Sequence, residues 1–192
     1  APYIKRIITP SKSSKEGIVD EFNCNKTNIT VINNGLDTNE FSPVNEVTRN
    51  EFRLITTASA DVPLKGLDFS LKALKKLKKD FPNMHLIVIG LIKKGGHTEK
   101  LIKKLGLEND VTFKSNLTKN EIKDCYSKSS IAIVSSLYEG FGYPVIEAMS
   151  CEVPLIATNI SSIPELTSEF AKLVDPKNEE MIYQSVKDIL AE

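Results

Sequence analysis

Residues 131–158, IAIVSSLYEGFGYPVIEAMSCEVPLIAT, hold the changes of pattern that decide how the whole chain is read. Residues 131–134 are apolar without polar alternation, as expected of a short strand buried on both faces of a parallel sheet. Ser135 and Ser136 close it, and Glu139-Gly140-Phe141-Gly142 forms a loop whose two glycines permit positive φ and let the backbone approach a ligand closely. Pro144 suits a helix start, because its φ is already helical and its missing N–H would be unpaired there. Free amides at such a start attract an anion, phosphate above all. Glu139 falls at the strand's carboxyl end and Glu147 in the first helical turn, so both can face one crevice. Ionised carboxylates accept several hydrogen bonds and donate none, which suits a hydroxyl-rich ligand.

Six strand candidates alternate with helix candidates around this stretch, at 54–58, 85–89, 111–113, 131–134, 155–157 and 172–174. Leu67, Leu71, Leu74 and Leu77 form one stripe at helical spacing, and Gly106 ends a helix that begins near Thr98. Thr118 and Glu121 make a capping box for the helix before the fourth strand. Such alternation predicts an α/β fold with a doubly wound, parallel, six-stranded Rossmann-like sheet. With the order 3-2-1-4-5-6, the first and fourth strands are neighbours and ligands bind beyond their carboxyl ends. The Lys65-Gly66 turn after the first strand and the Glu139–Gly142 loop would meet there, and Lys65 would offer a point charge for phosphate oxygens. Before this sheet, residues 4–9 read as a strand, 12–22 as a helix and 29–32 as a strand, followed by a polar linker over 37–50.

Composition narrows the class. The chain has 192 residues, enough for one good core and short for two complete Rossmann-type domains. Its 25 basic residues balance 25 acidic ones, so no net field draws nucleic acid. No apolar stretch is long enough to span a bilayer and no signal-peptide layout is present, which fits a soluble, cytoplasmic domain. Cys24, Cys125 and Cys151 lack CxxC spacing, so neither a zinc site nor a disulfide framework is expected. The opening Ala1-Pro2 suggests a fragment or processed chain.

Glu139 and Glu147, with seven residues between them, followed by a buried strand, resemble the signature of retaining GT-B glycosyltransferases of the group 1 type. The resemblance covers roughly residues 3–175. It implies the C-terminal, donor-binding half of a GT-B fold: residues 1–45 as the end of an acceptor lobe plus linker, 46–176 as the nucleotide-sugar domain, and 177–192 as a C-terminal helix. It implies roles too. Lys65 and Gly66 match the turn that binds the donor pyrophosphate. Glu139 matches the acid beside the donor sugar, and Glu147 the acid that holds the ribose hydroxyls. Gly140, Phe141, Gly142 and Tyr143 match the loop that touches sugar and phosphate. Leu117, within 115–118, stands where backbone groups read the base. The expected donor is a UDP-, GDP- or ADP-sugar, with no metal and no other cofactor; the acceptor, a sugar, lipid or small molecule, would be held by a missing N-terminal lobe, so this chain alone would not transfer sugar. A hexose would pass to a hydroxyl with retention.

Some positions depart from the family pattern. Ala60 stands where an arginine is common, with Lys93 or Lys94 as compensating cations. Glu152 replaces a turn glycine, and Ser161-Ser162 replace a Gly-Gly pair. Plainer readings stand beside these: Glu147 as an acid favourable to the helix dipole, Lys65 as a solvated lysine, His85 as structural and His97 as decoration of a mobile loop. The lysines at 72, 75, 76, 78 and 79 read as a solvated helix face, with weak peripheral contact to anionic lipid as the alternative. A GT-A transferase would need Asp-x-Asp and a nicotinamide enzyme GxGxxG after the first strand; neither is present. The rival from another class is a non-catalytic nucleotide-sugar-binding module.

Overall fold

The computed structural model describes residues 5–44, 47–59 and 61–191. A small parallel pair comes first, β1 (Ile7–Thr9) and β2 (Ile29–Val31), joined through α1 (Lys12–Phe22). Ser11 caps α1 by accepting a bond from the Ser14 amide, and Asn23 ends it in the left-handed conformation.

The main sheet holds β3 (Asn50–Thr57), β4 (His85–Ile89), β5 (Val111–Lys114), β6 (Ser129–Val134), β7 (Leu155–Thr158) and β8 (Lys172–Val174). Their spatial order is β5-β4-β3-β6-β7-β8, every pairing parallel. Counted from β3, this is the expected 3-2-1-4-5-6, so the switch point falls between β3 and β6. The helices are α2 (Leu67–Asp80), α3 (His97–Leu105), α4 (Lys119–Ser127), α5 (Tyr143–Ser150), α6 (Ile163–Thr167) and α7 (Glu179–Ala191). The capping box at Thr118 and Glu121 is present, and Gly106 ends α3 with φ 66°.

Two cores explain why the strand centres are mostly apolar. Leu54, Leu86, Val88, Ile131 and Ile133 face α2, α3 and α7, where they meet Leu71, Leu74, Leu77, Ile102, Ile182 and Val186. Their neighbours Ile55, Ile87, Ile89, Ala132 and Val134 face α4, α5 and α6. Since successive strand residues point to opposite faces and both are covered, the strand centres are largely apolar, with buried polar side chains such as Thr56 and Thr158 as exceptions. Each fully buried Leu or Ile contributes about 1.5–3 kcal/mol relative to exposure.

Part of the polar stretch expected as a linker packs on the sheet domain. Phe41 is buried in the second core, Ser150 donates its hydroxyl to the Phe41 carbonyl, and Lys123 reaches Ser42 at 2.8 Å. Burying this aromatic side chain, worth about 1.5–3 kcal/mol, offsets part of the cost of ordering its neighbours. The lysines of α2 are also less solvated than expected. Lys76 pairs with Glu180 and Lys78 with Asp110, both at 2.6 Å, while Lys72 lies over the Phe69 ring. Among the described residues no helix is long and apolar enough to cross a membrane.

Two departures from the family pattern carry backbone consequences. Glu152 and Ser161 have φ of 54° and 52°, the left-handed region that glycine occupies without a Cβ penalty. Glu152 is exposed, so its side chain offsets little of that strain. Glu152→Gly is therefore expected to stabilise the fold by about 0.5–1 kcal/mol, the relieved strain less the added freedom of the unfolded chain. A lower urea midpoint for the variant would contradict this. The position of Ala60 lies outside the described residues.

Candidate functional site

Lys65 ends a 3-10 turn, Pro63–Lys65, that leads from β3 into α2. Gly66 follows with φ 62°, serving as the residue before the helix. A Cβ on Gly66 would lie 1.9 Å from the carbonyl oxygen of Ser135, so only glycine lets this turn press against the end of β6. Three further contacts hold the two segments together. The Leu137 amide donates to the Leu64 carbonyl at 2.7 Å, Ser135 Oγ donates to the Gly66 carbonyl at 2.9 Å, and Ser70 Oγ meets Ser135 Oγ at 2.8 Å.

That close approach brings Lys65 onto Glu139. Its Nζ lies 2.7 Å from Oε1, and Ser136 Oγ donates to the same oxygen at 2.7 Å. The Glu139 side chain is 9% exposed and that of Lys65 32%. A carboxylate so far out of water requires its charge partner and hydrogen bonds. The sequence expectation brings the Lys65 turn and the Glu139 loop together; the direct ion pair between them is a finding of the structure.

The glycine loop is pinned from below by hydroxyls. Ser162 Oγ donates to the carbonyls of Glu139 and Phe141, at 2.9 and 2.6 Å. Ser11 and Ser14 donate to the Gly140 carbonyl, at 2.7 and 3.0 Å. In a trans peptide the N–H lies opposite the C=O, so these bonds turn the amides of Gly140, Phe141 and Gly142 away from the serines. Gly142, with φ 110°, then leads into α5. Phe141 is buried and stands edge-on to the exposed Tyr143, 5.5 Å between ring centres. Ser162 thus has a use that a glycine in its place would lack.

Glu147 lies in the second turn of α5, not the first, because the helix already begins at Tyr143. Favourable interaction with the helix dipole falls off within the first turn and so does not account for it. Its carboxylate is half-buried and accepts a bond from the Tyr126 hydroxyl, 3.1 Å from Oε2. Thr57 Oγ1, at the end of β3, lies 3.2 Å from the same hydroxyl. Burial holds the Glu147 carboxyl above its ordinary range, with the Tyr126 bond acting the other way. Burial likewise pushes the Tyr126 phenol well above its usual value, and the neighbouring carboxylate adds to that.

Leu117 stands in the loop after β5, on the same carboxyl edge two strands from β3, half-buried against the second core. Lys93 and Lys94 are exposed in the loop after β4. His97 is not loose decoration: it begins α3, and its Nε2 lies 2.7 Å from Asp68 Oδ2. Asp61 Oδ1 accepts the Thr98 amide beside it, which holds the Asp61 carboxyl below its ordinary range. A cavity of about 260 Å³ opens here, lined by Pro63, Leu67, Phe69, His97 and Leu137; neither Glu139 nor Glu147 lines it. His85, bonded to Thr112 at 2.8 Å, is structural. Burial pushes the Cys151 thiol up to about 11, so it stays protonated at neutral pH.

The structure therefore gathers Lys65, Gly66, Glu139, Gly140, Phe141, Gly142, Tyr143 and Glu147 at one switch point, with Leu117 further along the same edge. The residues that hold them are Ser11, Ser14, Thr57, Tyr126, Ser136 and Ser162; in the sequence only the tandem serine closing β6 and the Ser161-Ser162 departure from the family pattern stand out.

Fold and site together define a Rossmann-like lobe with a lysine–glutamate pair and a glycine loop at its carboxyl edge. A family model described as glycosyl transferases group 1 matches residues 39–192, and the chain belongs to that family. It is 35% identical over 179 residues to the MMP alpha-(1->4)-mannosyltransferase of Mycolicibacterium hassiacum, covering 92% of this chain and 43% of that protein. It is 30% identical over 185 residues to the O-antigen chain mannosyltransferase RfbU of Salmonella typhimurium, covering 96% of this chain and 51% of that protein. The fold matches that of Anabaena Alr3699/HepE, crystallised with UDP and glucose, at a TM-score of 0.84 and 21% identity, over 98% of this chain and 54% of that one. The chain thus spans about half the length of the relatives it matches.

Proposed function

We propose that this chain is the donor-binding lobe of a retaining hexosyltransferase and binds a nucleotide-diphosphate sugar across the β3–β6 switch point. The observation that carries the reading is the Lys65–Glu139 pair, 2.7 Å apart, at the start of a loop whose carbonyls are taken up by Ser11, Ser14 and Ser162. An ammonium beside several free amides fits a diphosphate, and a carboxylate within the same cluster fits sugar hydroxyls. The UDP and glucose in the structure of HepE and the mannosyltransferase relatives support the same class of donor.

Each residue has a part in that reading. Lys65 and the loop amides of Phe141, Gly142 and Tyr143 hold the diphosphate, and Glu139 meets the sugar through Oε2, the oxygen that takes neither the Lys65 nor the Ser136 bond. Glu147 accepts from the ribose hydroxyls, and the backbone near Leu117 reads the base. The bond from the anomeric carbon to the phosphate oxygen breaks with its electron pair passing to that oxygen. The acceptor oxygen bonds the same carbon on the same face and yields its proton to the departing phosphate. Lys65 and the amides stabilise the charge that develops there. A further lobe, in keeping with the half-length match to the relatives, brings the acceptor.

Calorimetry with UDP, GDP, ADP and their common sugars tests this. Glu147→Ala is expected to weaken nucleoside diphosphate binding by about 1–3 kcal/mol. Glu139→Ala is expected to act chiefly on the sugar portion, so that the nucleotide sugar loses affinity more than the diphosphate does. Unchanged affinities in both variants would sink the assignment. Glu147→Gln separates binding from folding. Because the folded state holds this carboxyl above its ordinary range, the folded chain keeps the proton more tightly than the unfolded chain, and ionised Glu147 costs stability above that raised value. The amide variant is thus expected to unfold at the same or a higher temperature near neutral pH while binding more weakly. Sugar transfer by the isolated chain at an enzyme-like rate would refute the need for a second lobe.

A further inference from the structure

Tyr126, in α4, is 1% exposed, and its hydroxyl donates to Glu147 of α5. Phenylalanine would fill the same volume without taking a hydroxyl out of water, so packing alone leaves that hydroxyl unexplained. Its surroundings give it one strong acceptor. The Glu147 carboxylate lies at 3.1 Å, Thr57 Oγ1 at 3.2 Å, and the Pro144 carbonyl only at 3.5 Å, the limit of a bond. A phenol has one proton, and a carboxylate attracts it more strongly than a neutral hydroxyl does. Thr57 then donates to the phenol oxygen, and a chain runs from the end of β3 through Tyr126 to Glu147.

We propose that Tyr126 is the positioning residue of Glu147, holding Oε2 so that the carboxylate presents Oε1 and the remaining lone pair of Oε2 to the two ribose hydroxyls. This rests on the ribose role given to Glu147 above. A glutamate has three side-chain torsions, and one fixed before binding costs less when the ligand arrives. A bond to Oε2 sets the plane of the carboxylate, while each ionised oxygen retains room to accept from a diol. Thr57 belongs to β3, whose following turn carries Lys65, so the same strand end sets the ribose site and the diphosphate site in register.

The test compares UDP, GDP and ADP with their 2′,3′-dideoxy forms by calorimetry on the full chain. The unaltered chain is expected to prefer the ribose form of its nucleotide by about tenfold or more, and Glu147→Ala to bring the two forms near parity. Tyr126→Phe is expected to cut the preference to about threefold or less while the dideoxy form binds within about twofold of its original affinity. Thr57→Val, which leaves the ring and its hydroxyl in place, is expected to lower the preference by a smaller factor and gives the same information should the phenylalanine variant not fold. If Glu147→Ala removes the preference but the tyrosine and threonine variants that fold retain all of it, the positioning role is overturned and the ribose site stands. An equal loss of both nucleotide forms in Tyr126→Phe, with no change in their ratio, also overturns it. If the unaltered chain ignores the missing hydroxyls or binds none of the three nucleotides, the ribose reading falls and the role of Tyr126 falls with it.

Discussion

Gly66→Ala is expected to lower the free energy of unfolding by about 2–4 kcal/mol, the sum of left-handed strain and a backbone collision. At φ 62° any L side chain pays a conformational penalty, and here the added Cβ would also stand 1.9 Å from the Ser135 carbonyl oxygen. That neighbour is backbone at the end of a buried strand and cannot rotate aside. Relief comes only by moving the β3–α2 turn away from β6, which loosens the Leu64–Leu137 bond and the Lys65–Glu139 pair together. Gly95→Ala is the matched control, because Gly95 also has positive φ, 72°, but a methyl group added there would meet nothing within 4 Å. It is expected to cost about 1 kcal/mol, the strain without the collision. Urea titrations of the two variants decide the matter: equal losses would mean that the turn does not press on β6 as described.

Lys65→Ala is expected to abolish most of the distinction between a nucleoside diphosphate and its nucleoside, a loss of about 10- to 100-fold in affinity for the diphosphate alone. Two effects act in the same direction. The ammonium no longer meets the phosphate oxygens, and Glu139, 8% exposed, loses the cation that neutralises it and repels the anionic ligand. The second effect separates from the first in a double variant. Adding Glu139→Gln to Lys65→Ala removes the stranded charge, so part of the lost diphosphate affinity and of the lost stability is expected to return. Calorimetry with UDP and uridine, or the corresponding pair for another base, reads the ratio. A ratio unchanged by Lys65→Ala would remove the lysine from the phosphate site.

The strand order, the capping box, the leucine stripe of α2 and the convergence of Lys65 with the Glu139 loop are all legible in the sequence, since each rests on local pattern or on the topology that alternating strands and helices impose. Other features are hidden from the sequence for particular reasons. Residues 37–50 read as a polar linker, and one phenylalanine is a weak signal in a polar run, so the burial of Phe41 in the second core goes unseen. His97 reads as loop decoration because its partner, Asp68, lies 29 residues away. Glu147 falls in the second helical turn rather than the first because Pro144 marks a helix start only to within a residue or so.

The sequence by itself determined where the strands and helices lie and which charged and glycine positions became site candidates, because apolar periodicity, glycine loops and charged side chains act over a few residues of chain. Only the tertiary structure decided how that chemistry is held. Tyr126 on Glu147 spans 21 residues, Ser162 beneath the loop 23, Lys65 on Glu139 74 and Ser11 on Gly140 129. Single hydrogen bonds of this kind leave no period in a sequence, since their partners meet only after the sheet has stacked its loops along one edge.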